Sequence, residues 1–189
     1  MTYALIEGPA VEPVTLAEAK AHLRFEDESE DALITALIAV ARQHLEQVAG
    51  VALIRQRFRL YLDHWPESGI IRLARGPVST LDAVTVYDAD GVAAEVPLAG
   101  HYLDGASRPA RLWLSNRPQP GQALNGIEVD FTAGFGETGA DVPGELKRAL
   151  LMHVALMFAY RGVVPPGDQP AAIPEGYQRL IAPYERRSL

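Results

Sequence analysis

The chain has 189 residues, 48% hydrophobic and 22% charged, a balance typical of one soluble globular domain with or without an insertion. It has no cysteine, which excludes disulfides and thiolate metal sites, and no apolar run reaches the ~18 residues that a membrane span needs. The net charge is −7, and residues 1–50 hold nine acids against three bases, so this segment is expected to repel the phosphates of DNA.

Residues 1–51 are predicted to form an N-terminal helical hairpin. A capping box that begins at Thr15 predicts a helix over 13–24. After a short acidic break, apolar residues recur at helical spacing over about 30–49, and Gly50 is a typical helix stop. Two helices joined by so short a break are expected to pack against each other.

Residues 52–134 are predicted to form an all-β insertion. Apolar residues alternate with arginine and tyrosine over 57–62, which is typical of a half-buried strand, and a turn signal at 88–91 predicts a hairpin. Further candidate strands are residues 70–73, 81–87, 92–98, 101–104, 111–114 and 127–133. Short strands separated by glycine and proline favour an antiparallel sheet or a small sandwich.

Residues 135–162 are predicted to complete the helical part. Asp141 is a suitable cap for a helix over about 142–160, and the scarcity of polar residues on this helix predicts a buried place in the core. The chain is therefore predicted to have an α+β fold. It would consist of a helical hairpin and a long buried helix, with an antiparallel β-sheet or sandwich insertion and a C-terminal arm.

Residues 163–189 are predicted to form a proline-rich linker and a C-terminal docking arm. Four prolines lie within 163–175, which favours an extended segment. A small apolar stripe follows, and the helix that it predicts is too short to be stable alone in water. This helix must dock either on its own domain or on a partner chain, and the sequence leaves both possibilities open.

One motif is typical of an enzyme, because Gly134, Gly136 and Gly139 match the spacing of a dinucleotide-binding loop. However, the preceding strand at 127–133 alternates apolar with polar residues, whereas the strand of a dinucleotide fold is apolar on both faces. In a dinucleotide fold the third glycine lies within the helix, whereas here Asp141 places the predicted helix start after Gly139. These departures favour a flexible loop, and no catalytic, cofactor-binding or metal-binding residue is predicted.

A ligand- or receptor-binding role of the β insertion is a second possibility. An exposed aromatic groove lined by Trp113 or Tyr102 would support it, although packing of the tryptophan within the sheet is the simpler expectation.

Five arginines lie between residues 55 and 75. They could contact nucleic acid or acidic partners, but the balanced overall charge and the absence of aromatic residues interleaved as in single-strand binders favour a solvated or subunit-contacting strand face.

Two stretches of the sequence resemble the head–tail connector family, the adaptor and head-completion proteins of long-tailed phages and phage-like gene transfer agents. The first runs from PVTLAEAKAHLR at 13–24 to DALITALIAVAR at 31–42, and the second from VDFTAGFG at 129–136 to DVPGELKRALL at 141–151. The resemblance spans most of the chain, and the order of helices, β insertion, helix and tail agrees with it. It implies a structural protein without catalytic residues or cofactors.

The resemblance further implies a ring of about twelve copies in the neck of a virion or phage-like particle that assembles in the bacterial cytoplasm. Its partners would be the portal protein and a downstream head-completion or tail protein, with DNA passing through unbound and no membrane involved. The family's C-terminal segment reaches into the portal, which assigns portal binding to Tyr177, Arg179, Leu180, Ile181, Tyr184, Arg186 and Arg187. Removal of residues 175–189 is then expected to leave the domain folded and to abolish portal binding.

The acidic break between the first two helices is assigned a separate role. If the ring lines a DNA channel, carboxylates at Glu26, Asp27 and Glu28 would let DNA slide past without sticking. Helix capping and solvation of the same acids is the simpler interpretation. A divalent cation site is disfavoured because the acidic stretch has no glycine to turn the backbone around an ion.

Overall fold

The structure is a computed structural model that describes residues 2–160 and 176–185. Its backbone divides into two compact units. The β unit contains residues 2–9 and 55–134, and the helical unit contains residues 10–54 and 135–185 as far as these are described. The predicted α+β fold is confirmed.

The β unit holds two antiparallel sheets built from short strands. The strands are β1 (Thr2–Glu7), β2 (Gln56–Leu62), β3 (Ile70–Leu73), β4 (Val78–Tyr87), β5 (Ala93–Glu95), β6 (Tyr102–Asp104), β7 (Ala110–Trp113) and β8 (Ile127–Ala133). The larger sheet has the order β1-β2-β8-β4-β5 and the smaller one β3-β7-β6. Both sheets bury alternate residues, and these form the apolar core of the unit.

Residues Thr2–Glu7 form the strand β1, which differs from the assignment of residues 1–51 to a helical hairpin. It pairs with β2 at the edge of the larger sheet. The Tyr3 hydroxyl donates to the carbonyl oxygen of Arg72 at 3.2 Å and accepts from the backbone N–H of Ala74 at 2.9 Å, which ties the edge strand to β3 and the residue after it. No local pattern predicts β1, because the strand with which it pairs lies some fifty residues further along the chain.

The predicted alternation in β2 is confirmed, and it places Arg59 on the polar face of the larger sheet. Its guanidinium forms a two-pronged contact with the carboxylate of Asp130, directly opposite on β8, at 2.6 and 2.8 Å. A third bond of 2.8 Å reaches Glu128. Two of the five clustered arginines, Arg57 and Arg59, therefore form ion pairs within the sheet.

The described part of the helical unit contains four α-helices and three short 3₁₀ turns. The helices are α1 (Leu16–Leu23), α2 (Asp31–Ala49), α3 (Gly144–Ala159) and α4 (Tyr177–Ile181), and the 3₁₀ turns are Glu28–Glu30, Gly139–Asp141 and Ala182–Tyr184. Their apolar faces form one core. Within residues 2–160 and 176–185, none of the helices has the length and apolar character of a membrane span.

The capping signals of the sequence are confirmed for α1 and for the end of α2. Thr15 and Glu18 make the reciprocal bonds of a capping box, and α2 ends at Gly50 in the left-handed conformation, with φ +70°. The cap proposed for α3 was wrong. The carboxylate of Asp141 accepts from Thr138 within the preceding 3₁₀ turn, and α3 begins only after Pro143, whose fixed φ suits a helix start.

A buried ion-pair network fixes the path of the chain at the exit from α2. The carboxylate of Glu46 accepts from the Arg42 guanidinium at 3.0 Å and from the backbone N–H of Leu53 at 2.9 Å. Glu12 accepts from the same guanidinium at 2.8 Å. The carbonyl oxygen of Leu53 then accepts from the N–H of Phe135 at 3.3 Å, so the residues that precede and follow the β unit are joined.

Replacing Glu46 by alanine is expected to lower the free energy of unfolding by about 3 kcal/mol, because it leaves part of a buried charge and a backbone donor without an acceptor. Chemical denaturation of the purified chain measures the change. Glu46→Gln is the matched control, since its amide oxygen still accepts from Leu53, and it should lose clearly less. Equal losses in the two variants would show that the Leu53 bond contributes little.

Candidate functional site

The C-terminal helix α4 docks on the helical unit of its own chain. Tyr177 and Ile181 are fully buried in the core of that unit, while Leu180 and Tyr184 are partly buried against it. The ring of Tyr184 meets that of Phe135 edge-on, with centroids 6.1 Å apart. Of the two possibilities left open by the sequence, the structure adopts the first, and a helix of five residues is stable because it is packed.

The anchor of α4 is an aromatic cluster formed by Tyr177 with His44 of α2 and His153 of α3. The histidine ring centroids are 5.0 Å apart and lie 6.2 and 5.8 Å from the tyrosine ring. Burial raises the pKa of Tyr177 to about 12. Burial, together with the neighbouring His44, lowers the pKa of His153. The tyrosine and His153 are therefore uncharged at neutral pH, as a dry core requires.

The same cluster contains polar atoms that find no partner among the described residues. They are the Tyr177 hydroxyl, His44 Nε2 and His153 Nδ1. A buried polar group without a hydrogen bond lowers stability. The contact of Tyr177 with the two histidines is consequently held by shape and apolar packing, whereas the Tyr184 hydroxyl after α4 donates to Glu145 of α3 at 3.3 Å.

The seven residues assigned to portal binding fall into three groups. Tyr177 and Ile181 are in the core, whereas Arg179 is exposed and Leu180 and Tyr184 are half-buried. Arg186 and Arg187 lie outside the described residues. Because the helical core includes Tyr177, removal of residues 175–189 is expected to destabilise the helical unit, which replaces the expectation that the truncated domain stays folded.

The acidic residues assigned to a DNA channel lie together on the surface. Glu26, Asp27 and Glu28 are all exposed, between α1 and α2. The Asp27 carboxylate accepts from the N–H of Ser29 at 2.6 Å, and its hydrogen bonds to this residue lower its pKa. Asp27 thus serves as the cap of the 3₁₀ turn, while Glu26 and Glu28 form no ion pair with the residues that the structure describes.

The glycine loop after β8 does not have the form of a phosphate cradle. Gly139 lies in a 3₁₀ turn, where an added side chain would collide with the carbonyl oxygen of Pro13. Gly136 faces the Asp141 carboxylate, which accepts from the N–H and the hydroxyl of Thr138, both at 2.9 Å. These bonds lower the pKa of Asp141, so a negative charge stands where a phosphate would have to bind.

Across 2–160 and 176–185, no group of three or more histidine, cysteine, aspartate or glutamate side chains is arranged to hold a metal ion. The described residues thus present a docked C-terminal helix and an exposed acidic turn.

Known proteins share the sequence pattern and the fold of this chain. Residues 13–86 match the family model of the phage gp6-like head-tail connector protein. A chain in the neck of an empty gene transfer agent particle, computed with C6 symmetry, is 27% identical with a TM-score of 0.82, and the match covers 100% of this chain and 97% of that one. No curated protein matches the sequence significantly.

Two further structures show the same likeness over the same shares of both chains, 100% and 97%. One is a chain of the virion of a native gene transfer agent particle, at 28% identity and a TM-score of 0.84. The other is from the neck of a native particle computed with C12 symmetry, at 29% identity and a TM-score of 0.75. The chain shares its fold with these particle chains, which supports a structural connector role. The predicted resemblance to the head–tail connector family of phages and gene transfer agents is confirmed.

Replacing Tyr177 by alanine is expected to lower the free energy of unfolding by about 3 to 4 kcal/mol, because it empties a fully buried aromatic site. Tyr177→Phe removes only the unpartnered hydroxyl and should leave stability within about 1 kcal/mol of the original or raise it. Denaturant titration of both variants, with exposed Gln178→Ala as control, measures this. If the alanine variant were as stable as the control, α4 would not belong to the core.

Proposed function

We propose that the chain forms an oligomeric ring between the portal and the next neck or tail protein of a phage or gene transfer agent particle. The observation that carries the proposal is the likeness to neck chains over the whole sequence and 97% of their length. Those necks were computed with C6 and C12 symmetry, which supports a ring of about twelve copies here.

The C-terminal arm is the proposed portal-binding element. Tyr177 and Ile181 hold α4 on its own domain, so portal contact is assigned to the exposed Arg179 and to the solvent-accessible parts of Leu180 and Tyr184. Arg186 and Arg187 extend the same basic end of the chain. Arginine suits this role because its guanidinium pairs with carboxylates at protein interfaces.

The exposed acids Glu26, Asp27 and Glu28 are proposed to face the DNA passage. With a formal charge of −7 per copy, a ring of about twelve would carry on the order of −84 charges. Unpaired carboxylates on the channel side would repel the phosphates and keep DNA moving.

Density-gradient fractionation of a culture that makes particles tests the ring and the arm together. The chain is expected in the DNA-containing fraction beside the portal protein, and Arg179→Glu should lower its share there about tenfold. Arg24→Glu, an equal charge change at the exposed residue that follows α1, should leave the share unchanged. A chain found only in the soluble fraction of a producing culture would contradict the connector role.

Charge reversal of Glu26 and Glu28 to lysine tests the channel assignment. If these acids face the passage, the particles are expected to assemble but to package or eject DNA several-fold more slowly, because the new charges bind phosphates. Protected DNA per particle and the rate of its release are the measurements. Unaltered packaging and release in assembled variant particles would place the acids away from the channel.

A further inference from the structure

The outward face of the three-stranded sheet carries an exposed apolar row. Ile70, Trp113 and Tyr102 occupy directly opposite positions on the neighbouring strands β3, β7 and β6. Opposite residues of antiparallel strands point to the same face. They are 37%, 43% and 71% exposed, whereas the next residues along each strand point inward. Three large apolar side chains are thus held side by side in water.

Arginines border this row on both sides. Arg72 and Arg111 occupy the next outward positions on β3 and β7, and the guanidinium of Arg117 lies against the backbone of Gly69, beside the start of β3. The one carboxylate in the set, Asp104, accepts from Arg111 at 2.6 and 3.1 Å. Arg72 and Arg117 form no ion pair with any residue of the described chain. The face is therefore apolar at one row and positively charged around it.

This combination is typical of a protein-binding surface. Tryptophan, tyrosine and arginine are the residues most enriched where a few side chains supply most of the binding energy. The strand β6 is at the edge of its sheet, the position at which a strand of a partner can be added. The excess of guanidinium groups selects a partner with carboxylates, while the net charge of −7 disfavours nucleic acid.

We propose that this aromatic–arginine face binds an extended acidic segment of another protein of the particle. The segment would place an apolar side chain on Trp113 and Tyr102 and its carboxylates on Arg72 and Arg117. The face belongs to the β unit and α4 to the helical unit, and an acidic segment bound there would be a second partner besides the proposed portal.

Site-specific photo-crosslinking tests the proposal. A photo-reactive phenylalanine analogue replaces Tyr102, and a matched control carries it at Leu124, which is 73% exposed in the same unit. Whole lysate and purified particles are both irradiated, and the attached peptides are sequenced. We expect adducts from position 102 to a Glu- or Asp-rich segment of a different protein, about tenfold above the control.

Charge variants separate the proposed contact from chance proximity. Arg72→Glu combined with Arg117→Glu should lower the position-102 adduct about tenfold, while Arg24→Glu should not change it. Adducts to a second copy of this chain, to DNA or to a segment without acids would overturn the proposal, and so would a yield no higher than at Leu124. The lysate sample keeps this test distinct from the test of the connector role. A chain that stays out of particles would contradict the connector role, and its adducts in lysate would still decide whether the face binds an acidic segment.

Discussion

The fold of the helical unit depends on the hydrogen bonds made by Leu53. Its N–H is held by the Glu46 carboxylate of α2, and its carbonyl oxygen accepts from Phe135 at the point where the chain returns from the β unit. Closing so long a loop costs conformational entropy, but the cost grows only slowly with loop length. One fixed crossing point therefore allows α3 to complete a core that α1 and α2 begin.

The same core decides what the C-terminal arm does. Once α2 and α3 are in place, His44 and His153 provide the aromatic site that Tyr177 fills. A five-residue helix has little stability of its own, so its position is set by this packing. The unpartnered hydroxyl and ring nitrogens reduce what the packing contributes. The packing therefore holds the exposed Arg179 of α4 in a defined place.

Charge is organised differently in the two units. In the larger sheet, the charge of Arg59 is paired within the sheet, with Asp130 and Glu128. The carboxylates between α1 and α2, and the guanidinium groups around Trp113, remain exposed. These two groups of exposed side chains therefore carry opposite charges.

The sequence by itself determined the features that depend on neighbouring residues. The capping box at Thr15, the stop at Gly50 and the alternation in β2 are local patterns, and each was read correctly. The strand β1, the docking of α4, the Arg59–Asp130 pair and the row formed by Trp113 with Tyr102 were decided only by the tertiary structure. In each case the residues in contact lie far apart along the chain or are brought side by side by the register of paired strands. A short stretch of sequence contains neither the pairing partner nor the register, so it could not predict them.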